Sequence, residues 1–260
     1  MKKIIGLIMV AVLCLSIGIL PASADVSAEQ YSTQRLLHEK LDEYYQLYGD
    51  IDLAAEKFEE NYEHFHLISS DFTTGPNAST RSSNEGYINM YGHVWYNDEL
   101  QYYYYYARWD WNKDVPSNEG DPWDVIMITT SLPDELWLEN FIVKASGDGQ
   151  YAQYTSHPYS KSGSINLRDS DNGYGVFVLD EKKLTGGSIS SKLGYTDFNT
   201  SATVKVQYHH AWSAEDINGY GFGFDISETG LGFTYNVSWD NVVNSWYVST
   251  VARHLKDVNV

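Results

Sequence analysis

The segment from residue 110 to residue 124, DWNKDVPSNEGDPWD, holds the acids best suited to metal binding. It contains five carboxylates within 15 residues. Ca²⁺ takes six to eight oxygen ligands from carboxylates and carbonyls, and a flexible acidic loop can supply them. The segment lacks a recognised calcium-loop consensus, so a solvated acidic loop is the alternative interpretation. The residues of the candidate calcium site are Asp110, Asp114, Asp121 and Asp124.

Three carboxylates form the candidate set for hydrolytic chemistry. Glu135 and Glu139 flank Trp137 in PDELWLEN, a segment that reads as a strand. Retaining glycosidases need two carboxylates about 5 to 5.5 Å apart, and residues four apart in a strand are too distant to form that pair. A third acid such as Asp124, from a neighbouring strand, would be required. A carboxylate-based glycoside hydrolase is therefore one alternative function.

The first two predicted strands are unusually rich in aromatic residues. Tyr102, Tyr104, Trp109 and Trp111 all lie in the segment from 101 to 111. Exposed rings with polar rims are suited to stacking on sugars or on peptide side chains, so these four are the candidate ligand-binding residues. The structural alternative is that one face of this strand lies in the core and the other under the N-terminal helices. Alternation places Tyr102 and Tyr104 on the same face.

The histidines and serines do not form a recognised catalytic motif. His64 and His66 fall in the segment expected to be helical, where residues two apart do not share a face, and HExxH is absent. His209 and His210 lie in a predicted strand, one on each face. No G-x-S-x-G sequence occurs. These absences favour a protein that is not an enzyme.

The N-terminus has the pattern of a secretory signal. Lys2 and Lys3 precede an apolar run that ends at an Ala-Ser-Ala sequence, with cleavage expected after Ala24. The single cysteine, Cys14, lies within this segment, so the mature protein would have no disulfide. We therefore expect a secreted, extracellular protein.

The chain is strongly acidic. It has 17 Lys and Arg against 35 Asp and Glu, a net charge of −18, and removal of Lys2 and Lys3 would leave 15 against 35, or −20. This charge disfavours nucleic acid and anionic lipid as partners and leaves cations, cationic partners and neutral glycans. Solubility of an exported protein is the other explanation of the acidity.

The hydrophobic pattern divides the chain into segments. Leucines and tyrosines recur every three or four residues, which predicts an acidic α-helical hairpin within 25–68, either a pro-segment or a cap. Ser and Thr dominate 69–85, which predicts a linker. Residues 86–260 show a period of two, with about ten candidate strands between turn signals. The predicted fold is mainly β: an antiparallel β-sandwich, jelly-roll-like, behind the helical hairpin. The candidate strands are 87–96, 101–111, 123–130, 136–145, 175–179, 187–195, 202–212, 219–226, 230–239 and 246–254.

Three functions remain open from the sequence. The first is a non-catalytic binding module that recognises a glycan or another extracellular surface ligand through aromatic residues. The second is a pore-forming or bacteriocin-like toxin with an acidic pro-segment, suggested by the glycine-rich hairpin NGYGFGFDISETGLGFTYNVSW. A core hairpin is the structural alternative for that segment. The third function is the glycoside hydrolase. A membrane is an expected partner only for the second function.

Overall fold

The computed structural model describes residues 22–75, 88–111, 124–131, 136–146, 151–154, 161–162, 165–171, 174–179, 186–195, 203–212, 222–229, 232–239 and 244–252. The first described elements are two helices, α1 (Ala22–Tyr48) and α2 (Ile51–Asn61). Gly49 ends α1 at φ 68°, and Asp50 caps α2 by accepting from the backbone N–H groups of Asp52 and Leu53. The predicted helical hairpin is confirmed. Within the described segments, neither helix is long and apolar enough to cross a membrane.

Fourteen strands follow within the described residues. They are β1 (Phe65–Gly75), β2 (Ile88–Asn97), β3 (Tyr102–Trp111), β4 (Asp124–Thr130), β5 (Leu136–Ser146), β6 (Tyr151–Tyr154), β7 (Lys161–Ser162), β8 (Ile165–Asp171), β9 (Tyr174–Leu179), β10 (Gly186–Tyr195), β11 (Val204–Trp212), β12 (Phe222–Thr229), β13 (Gly232–Trp239) and β14 (Asn244–Ala252). Each of the ten predicted segments overlaps one of these strands. The additional strands are β1, β6, β7 and β8.

Strand β1 corrects the expected segment boundaries. Helix was expected as far as residue 68 and a linker from 69, whereas residues 65–75 pair with β2 in an antiparallel ladder. A bulge lies between Leu67 and Ser69, which interrupts the simple alternation of the sequence. Ser and Thr in this strand resemble linker composition, but β1 is an edge strand and its pairing partner comes from a later part of the chain.

The strands form two six-stranded antiparallel sheets and a separate hairpin. The first sheet has the order β1-β2-β3-β10-β5-β6, the second has the order β14-β11-β4-β9-β8-β7, and β12 pairs with β13. One hydrophobic core draws buried residues from both six-stranded sheets, including Trp109 of β3, Ile126 of β4 and Tyr208 of β11. The predicted mainly β, antiparallel class is confirmed.

A second core lies between the helices and the opposite face of the first sheet. Leu37 and Leu41 of α1 and Phe58 of α2 pack with Trp95 of β2 and Tyr104 of β3. Strand β3 is therefore buried on both faces, which confirms the structural alternative for its aromatic residues. Even-numbered tyrosines point to the helices, and odd-numbered aromatic residues point to the core between the sheets.

Candidate functional site

The four predicted ligand-binding residues do not form one exposed surface. Tyr104 and Trp109 are fully buried, on opposite faces of β3. Tyr102 is half-buried beneath Lys192, whose Nζ lies 3.9 Å from the centre of its ring. Trp111 is half-buried against Tyr208, with ring centres 6.0 Å apart. The expectation of an exposed row is wrong because both faces of β3 are covered.

Of the three candidate catalytic carboxylates, only the side chain of Glu139 is described. Glu139 of β5 accepts a hydrogen bond from Trp137 Nε1 at 2.7 Å and pairs with Lys192 Nζ at 2.7 Å. Asp124 belongs to β4 of the other six-stranded sheet, and Glu135 lies outside the described residues. The charge of Glu139 is thus compensated by a neighbouring lysine, and it has no second carboxylate partner among the described contacts.

Asp110 is the one acidic residue of this loop whose side chain is described. Asp110 Oδ2 accepts a hydrogen bond from Arg108 Nε, and Asp110 Oδ1 accepts one from Arg108 Nη2, each at 2.8 Å. Asp114, Asp121 and the side chain of Asp124 lie outside the part of the chain that the structure describes. Among the described residues there is no group of three or more His, Cys, Asp or Glu arranged to hold a metal ion. Asp110 therefore forms an ion pair with Arg108 in this structure.

A buried polar cluster joins α1 to the first sheet. Asp42 Oδ1 accepts from Tyr106 Oη at 2.8 Å and from Arg108 Nη1 at 3.2 Å, while Asp42 Oδ2 accepts from Ser188 Oγ at 3.0 Å. Lys144 Nζ also lies 3.0 Å from Oδ2. We call Asp42, His38, Tyr106, Arg108, Lys144, Ser188 and Ser190 the helix–sheet polar cluster. It brings together residues from α1, β3, β5 and β10.

Burial and charge set the ionisation of the cluster. Burial lowers the pKa of His38 to about 4, against the opposing effect of Asp42, so the imidazole is neutral at neutral pH. Burial acts to raise the pKa of Asp42, but the positive charges of Lys144 and Arg108 and the hydrogen bond from Tyr106 hold it below the usual value. Since His38 is uncharged, Lys144 and Arg108 are the cations that compensate the buried Asp42 carboxylate.

The cluster contains serine, histidine and aspartate but not the geometry of a catalytic triad. In a triad, one histidine nitrogen contacts the serine and the other contacts the acid. Here His38 Nε2 lies 3.0 Å from Ser188 Oγ and Nδ1 lies 2.9 Å from Ser190 Oγ, so both nitrogens contact serines. Asp42 Oδ2 is 3.9 Å from Nε2. His38 and both serines are fully buried, so the arrangement fixes the helix to the sheet.

Sequence reasoning missed this cluster, although a signal was present. His38 and Asp42 are four residues apart and interrupt the apolar stripe of α1 next to Leu37 and Leu41. Polar residues on the buried face of a helix require partners. Their partners lie about 150 positions later in the chain, at Ser188 and Ser190, and local patterns could not identify them.

A second, exposed cluster joins two histidines to one carboxylate. His64 Nδ1 lies 3.0 Å from Asp98 Oδ1, and His66 Nε2 lies 3.1 Å from Asp98 Oδ2. The expectation that these histidines could not meet is wrong, because residue 64 is in a turn and residue 66 is in β1. The hydrogen bond with Asp98 raises the pKa of His64, and that with His66 lowers the pKa of Asp98.

The described surface carries one stacked aromatic pair at the edge of the first sheet. Phe72 of β1 stacks on Tyr91 of β2 with ring centres 4.9 Å apart, and Tyr45 of α1 lies 6.5 Å from Tyr91. Phe72 is 53% exposed. Burial raises the pKa of Tyr91, and the carboxylates of Asp110, Asp50 and Asp52 raise it further. We call Phe72, Tyr91 and Tyr45 the aromatic platform.

No family model and no curated protein matches this sequence. Among solved structures, the chain is similar to Clostridium perfringens delta-toxin at 8% identity, covering 74% of this chain and 97% of that one, with a TM-score of 0.34. It is similar to a structure titled for pH-induced modulation of Streptococcus parasanguinis adhesion by Fap1 fimbriae, at 10% identity, 73% and 98% coverage and a TM-score of 0.35. It is also similar to a collagen-binding domain from a Staphylococcus aureus adhesin, at 10% identity, 55% and 86% coverage and a TM-score of 0.28.

Proposed function

We propose that this chain is a secreted, non-catalytic binding module that recognises a glycan or another extracellular surface ligand through the aromatic platform. The observation that carries the proposal is the stacking of Phe72 on Tyr91 at 4.9 Å with Phe72 open to solvent. An exposed ring gives a sugar a flat apolar surface for stacking. Its position on the edge strand β1 leaves the ring accessible to a large ligand.

The polar surroundings of the platform also suit a glycan. Asp50 and Asp52 are exposed on the loop and first turn of α2, close enough to Tyr91 to raise its pKa. Asn89 forms a hydrogen bond with Tyr91. Carboxylate and amide oxygens accept hydrogen bonds from sugar hydroxyl groups, while the rings supply apolar contact. The rings proposed to bind the ligand are therefore those of the aromatic platform, in place of the buried Tyr104 and Trp109.

Binding to insoluble polysaccharides and cell walls tests this function. We expect the full-length mature protein to be retained and Phe72→Ala to lose about tenfold or more in affinity, because the stacking surface is removed. Leu47→Ala is the matched control, since Leu47 is 68% exposed but is not part of the platform. Equal binding by the Phe72→Ala and wild-type proteins, or retention of neither on any glycan or wall preparation, would contradict the proposal.

A second candidate function, a membrane-active toxin, is favoured by the register of the β12–β13 hairpin. Directly opposite residues lie on the same face of an antiparallel pair. One face contains three apolar pairs and then the pair of Glu228 with Phe233, and the other contains small or polar pairs. The apolar pairs are Phe222 with Trp239, Phe224 with Val237, and Ile226 with Tyr235; the others are Gly223 with Ser238, Asp225 with Asn236, and Ser227 with Thr234.

The two strands of this hairpin are shorter than a membrane span. Each has eight residues, whereas a tilted transmembrane strand needs about 9 to 11, so spanning would require about one to three further residues in each strand. Dye release from phosphatidylcholine vesicles tests the candidate, with Phe224→Asn as the disabling change and Asp225→Asn on the opposite face as the control. Absence of leakage from wild-type protein, before and after proteolytic cleavage between residues 76 and 87, would exclude it.

Several finer features belong to the same proposal. We propose export through a signal at residues 1–24, with the mature chain beginning at Asp25, although α1 already includes residues 22–24. We also propose that the two six-stranded sheets form a jelly-roll-like β-sandwich and that residues 25–61 act as its cap. N-terminal sequencing of protein recovered from the culture medium tests the first of these. A start other than Asp25 would require a different processing site.

A further inference from the structure

A cleft of about 160 Å³ lies at the other end of the helix–sheet interface from the aromatic platform. It opens between α1, the α2–β1 turn and the β2–β3 turn. The residues that matter for its chemistry are Leu36, Tyr62, His64, Phe65, Asn97 and Glu99. None of these residues belongs to the aromatic platform, so the two sites can be tested separately.

The size of the cleft limits what it can hold. A water molecule occupies about 30 Å³ of liquid, and sites for drug-sized ligands measure about 300 to 1,000 Å³. At about 160 Å³ the cleft has room for several waters or for one compact organic group. A full sugar chain or a peptide would extend beyond it. The ligand must therefore be small, or must insert a single small group.

The lining combines one accessible aromatic side chain with negative charge. Tyr62 is half-buried and the Glu99 carboxylate is exposed at the rim, whereas Phe65 is only 3% exposed and its ring packs on Phe58 and Tyr104. Three carboxylates surround His64: Asp98 at 3.0 Å, and Glu63 and Glu99 at 3.9 Å each. No lysine or arginine is among the described residues that line the cleft. An aromatic ring and a carboxylate together favour an organic cation over an anion or a neutral apolar group.

We propose that this cleft binds a compact organic ammonium ion, with Tyr62 as its aromatic wall and Glu99 as its counter-ion. The net charge of −18 raises the local concentration of cations and favours their encounter with the site. The apolar side chain of Leu36 completes the wall contributed by α1. A quaternary ammonium group fits because its charge is spread over methyl groups that contact rings favourably.

His64 makes the site sensitive to pH. It faces Asp98, Glu99 and Glu63, and Asp98 also contacts His66. Protonated His64 places a positive charge in the cleft and engages the carboxylates that attract the ligand. Binding of an ammonium ion is therefore stronger when His64 is neutral. The affinity should be higher at pH 8 than at pH 5.5.

Calorimetric titration of choline into the full-length mature protein at pH 8 tests the proposal. Its uncharged isostere 3,3-dimethylbutan-1-ol serves as the second ligand and should bind more weakly than choline. Glu99→Gln should weaken choline binding about fivefold, the effect of one exposed charge, and Leu36→Trp should abolish it by filling the cleft. Glu43→Gln, an exposed acid of α1 paired with Lys40, is the control that should leave binding unchanged.

Three results would overturn the proposal: no heat of binding with wild-type protein, equal affinity for choline and its isostere, or unchanged affinity in Glu99→Gln. Far-ultraviolet circular dichroism verifies that each variant is folded, and Glu99 lies on an exposed turn where the fold tolerates change. Phe72→Ala should bind choline normally. Failure of the choline titration would therefore leave the glycan-binding proposal intact. Failure of the glycan-retention test would likewise leave the ammonium-binding proposal intact.

Discussion

Tyr106 of β3 donates a hydrogen bond to Asp42 of α1 at 2.8 Å, in a contact from which solvent is excluded. The same carboxylate compensates Arg108 at 3.2 Å and Lys144 at 3.0 Å. One aspartate thus connects the N-terminal helix to strands β3 and β5. The helices form a layer of the fold, because their attachment combines this polar cluster with buried apolar residues such as Leu37 and Phe58.

We expect Asp42→Asn to destabilise the protein by about 3 kcal/mol, the low end of the range for breaking a buried ion pair. The change removes the carboxylate that compensates Lys144, whereas Arg108 keeps its pairing with Asp110. Urea denaturation at pH 7 measures the change in the free energy of unfolding. Glu43→Gln, on the exposed side of the same helix, should change it by less than about 1 kcal/mol. Similar stabilities for the two variants would show that Asp42 does not carry the helix–sheet contact.

Two tyrosines of the same strand should respond in opposite ways to loss of the hydroxyl group. Tyr106→Phe removes the hydrogen bond to Asp42 and should cost about 1 to 3 kcal/mol. The buried Tyr104 hydroxyl has no hydrogen-bond partner among the described residues. Tyr104→Phe should therefore be neutral or stabilising by about 1 kcal/mol. Thermal denaturation compares them, and a larger loss for Tyr104→Phe would contradict this account.

The stability of the protein should fall on acidification from pH 7 to pH 5, partly through His93. Burial lowers the pKa of His93 to about 4, so the folded state holds the neutral form. In the unfolded chain the His93 imidazole takes up a proton near pH 6.5. The contribution of His93 to the free energy of unfolding is therefore fully present above this pH and is lost as the pH falls towards 4. For this one group, the loss between pH 7 and pH 5 is about 2 kcal/mol.

His93→Gln should reduce this loss by that amount, as measured by urea denaturation at pH 7, 6 and 5. His64→Gln is the control because the hydrogen bond with Asp98 raises the pKa of His64. A raised pKa contributes stability at acidic pH that is lost as pH rises, so this variant should make the acid-side decline slightly steeper. An unchanged pH dependence in His93→Gln would show that its ring is not buried in the neutral form.

Gly187 of β10 should not tolerate a side chain. A Cβ atom there would overlap the indole of Trp109 and the backbone oxygen of Lys144, and a backbone atom in a paired strand cannot move aside. We expect Gly187→Ala to cost about 3 kcal/mol or more. The control is Gly49→Ala. Gly49 has a φ of 68°, but an added Cβ atom would have no other atom within 4 Å, so this change should cost about 1 kcal/mol. Chemical denaturation ranks the two variants, and equal losses would contradict the predicted overlap.

Alternation in the sequence placed Tyr102 and Tyr104 on one face of β3, and the structure confirms it. The alternation does not show which elements cover each face of β3. Period-two patterns arise within one strand, whereas the burial of Tyr104 depends on helices some 40 to 60 positions earlier. The predicted binding residues therefore included buried rings, and Phe72 was assigned to a linker because its strand is rich in Ser and Thr.

The amino-acid sequence by itself determined the acidic charge, the N-terminal helices and the mainly β class, because charge, capping and hydrophobic period are local properties. Only the tertiary structure decided that Asp42 meets Ser188, that Asp110 is held by Arg108, and that His64 and His66 share Asp98. Pairing between strands and packing between layers join residues far apart in the chain. Their partners follow from the combined burial of many side chains, which no local pattern contains.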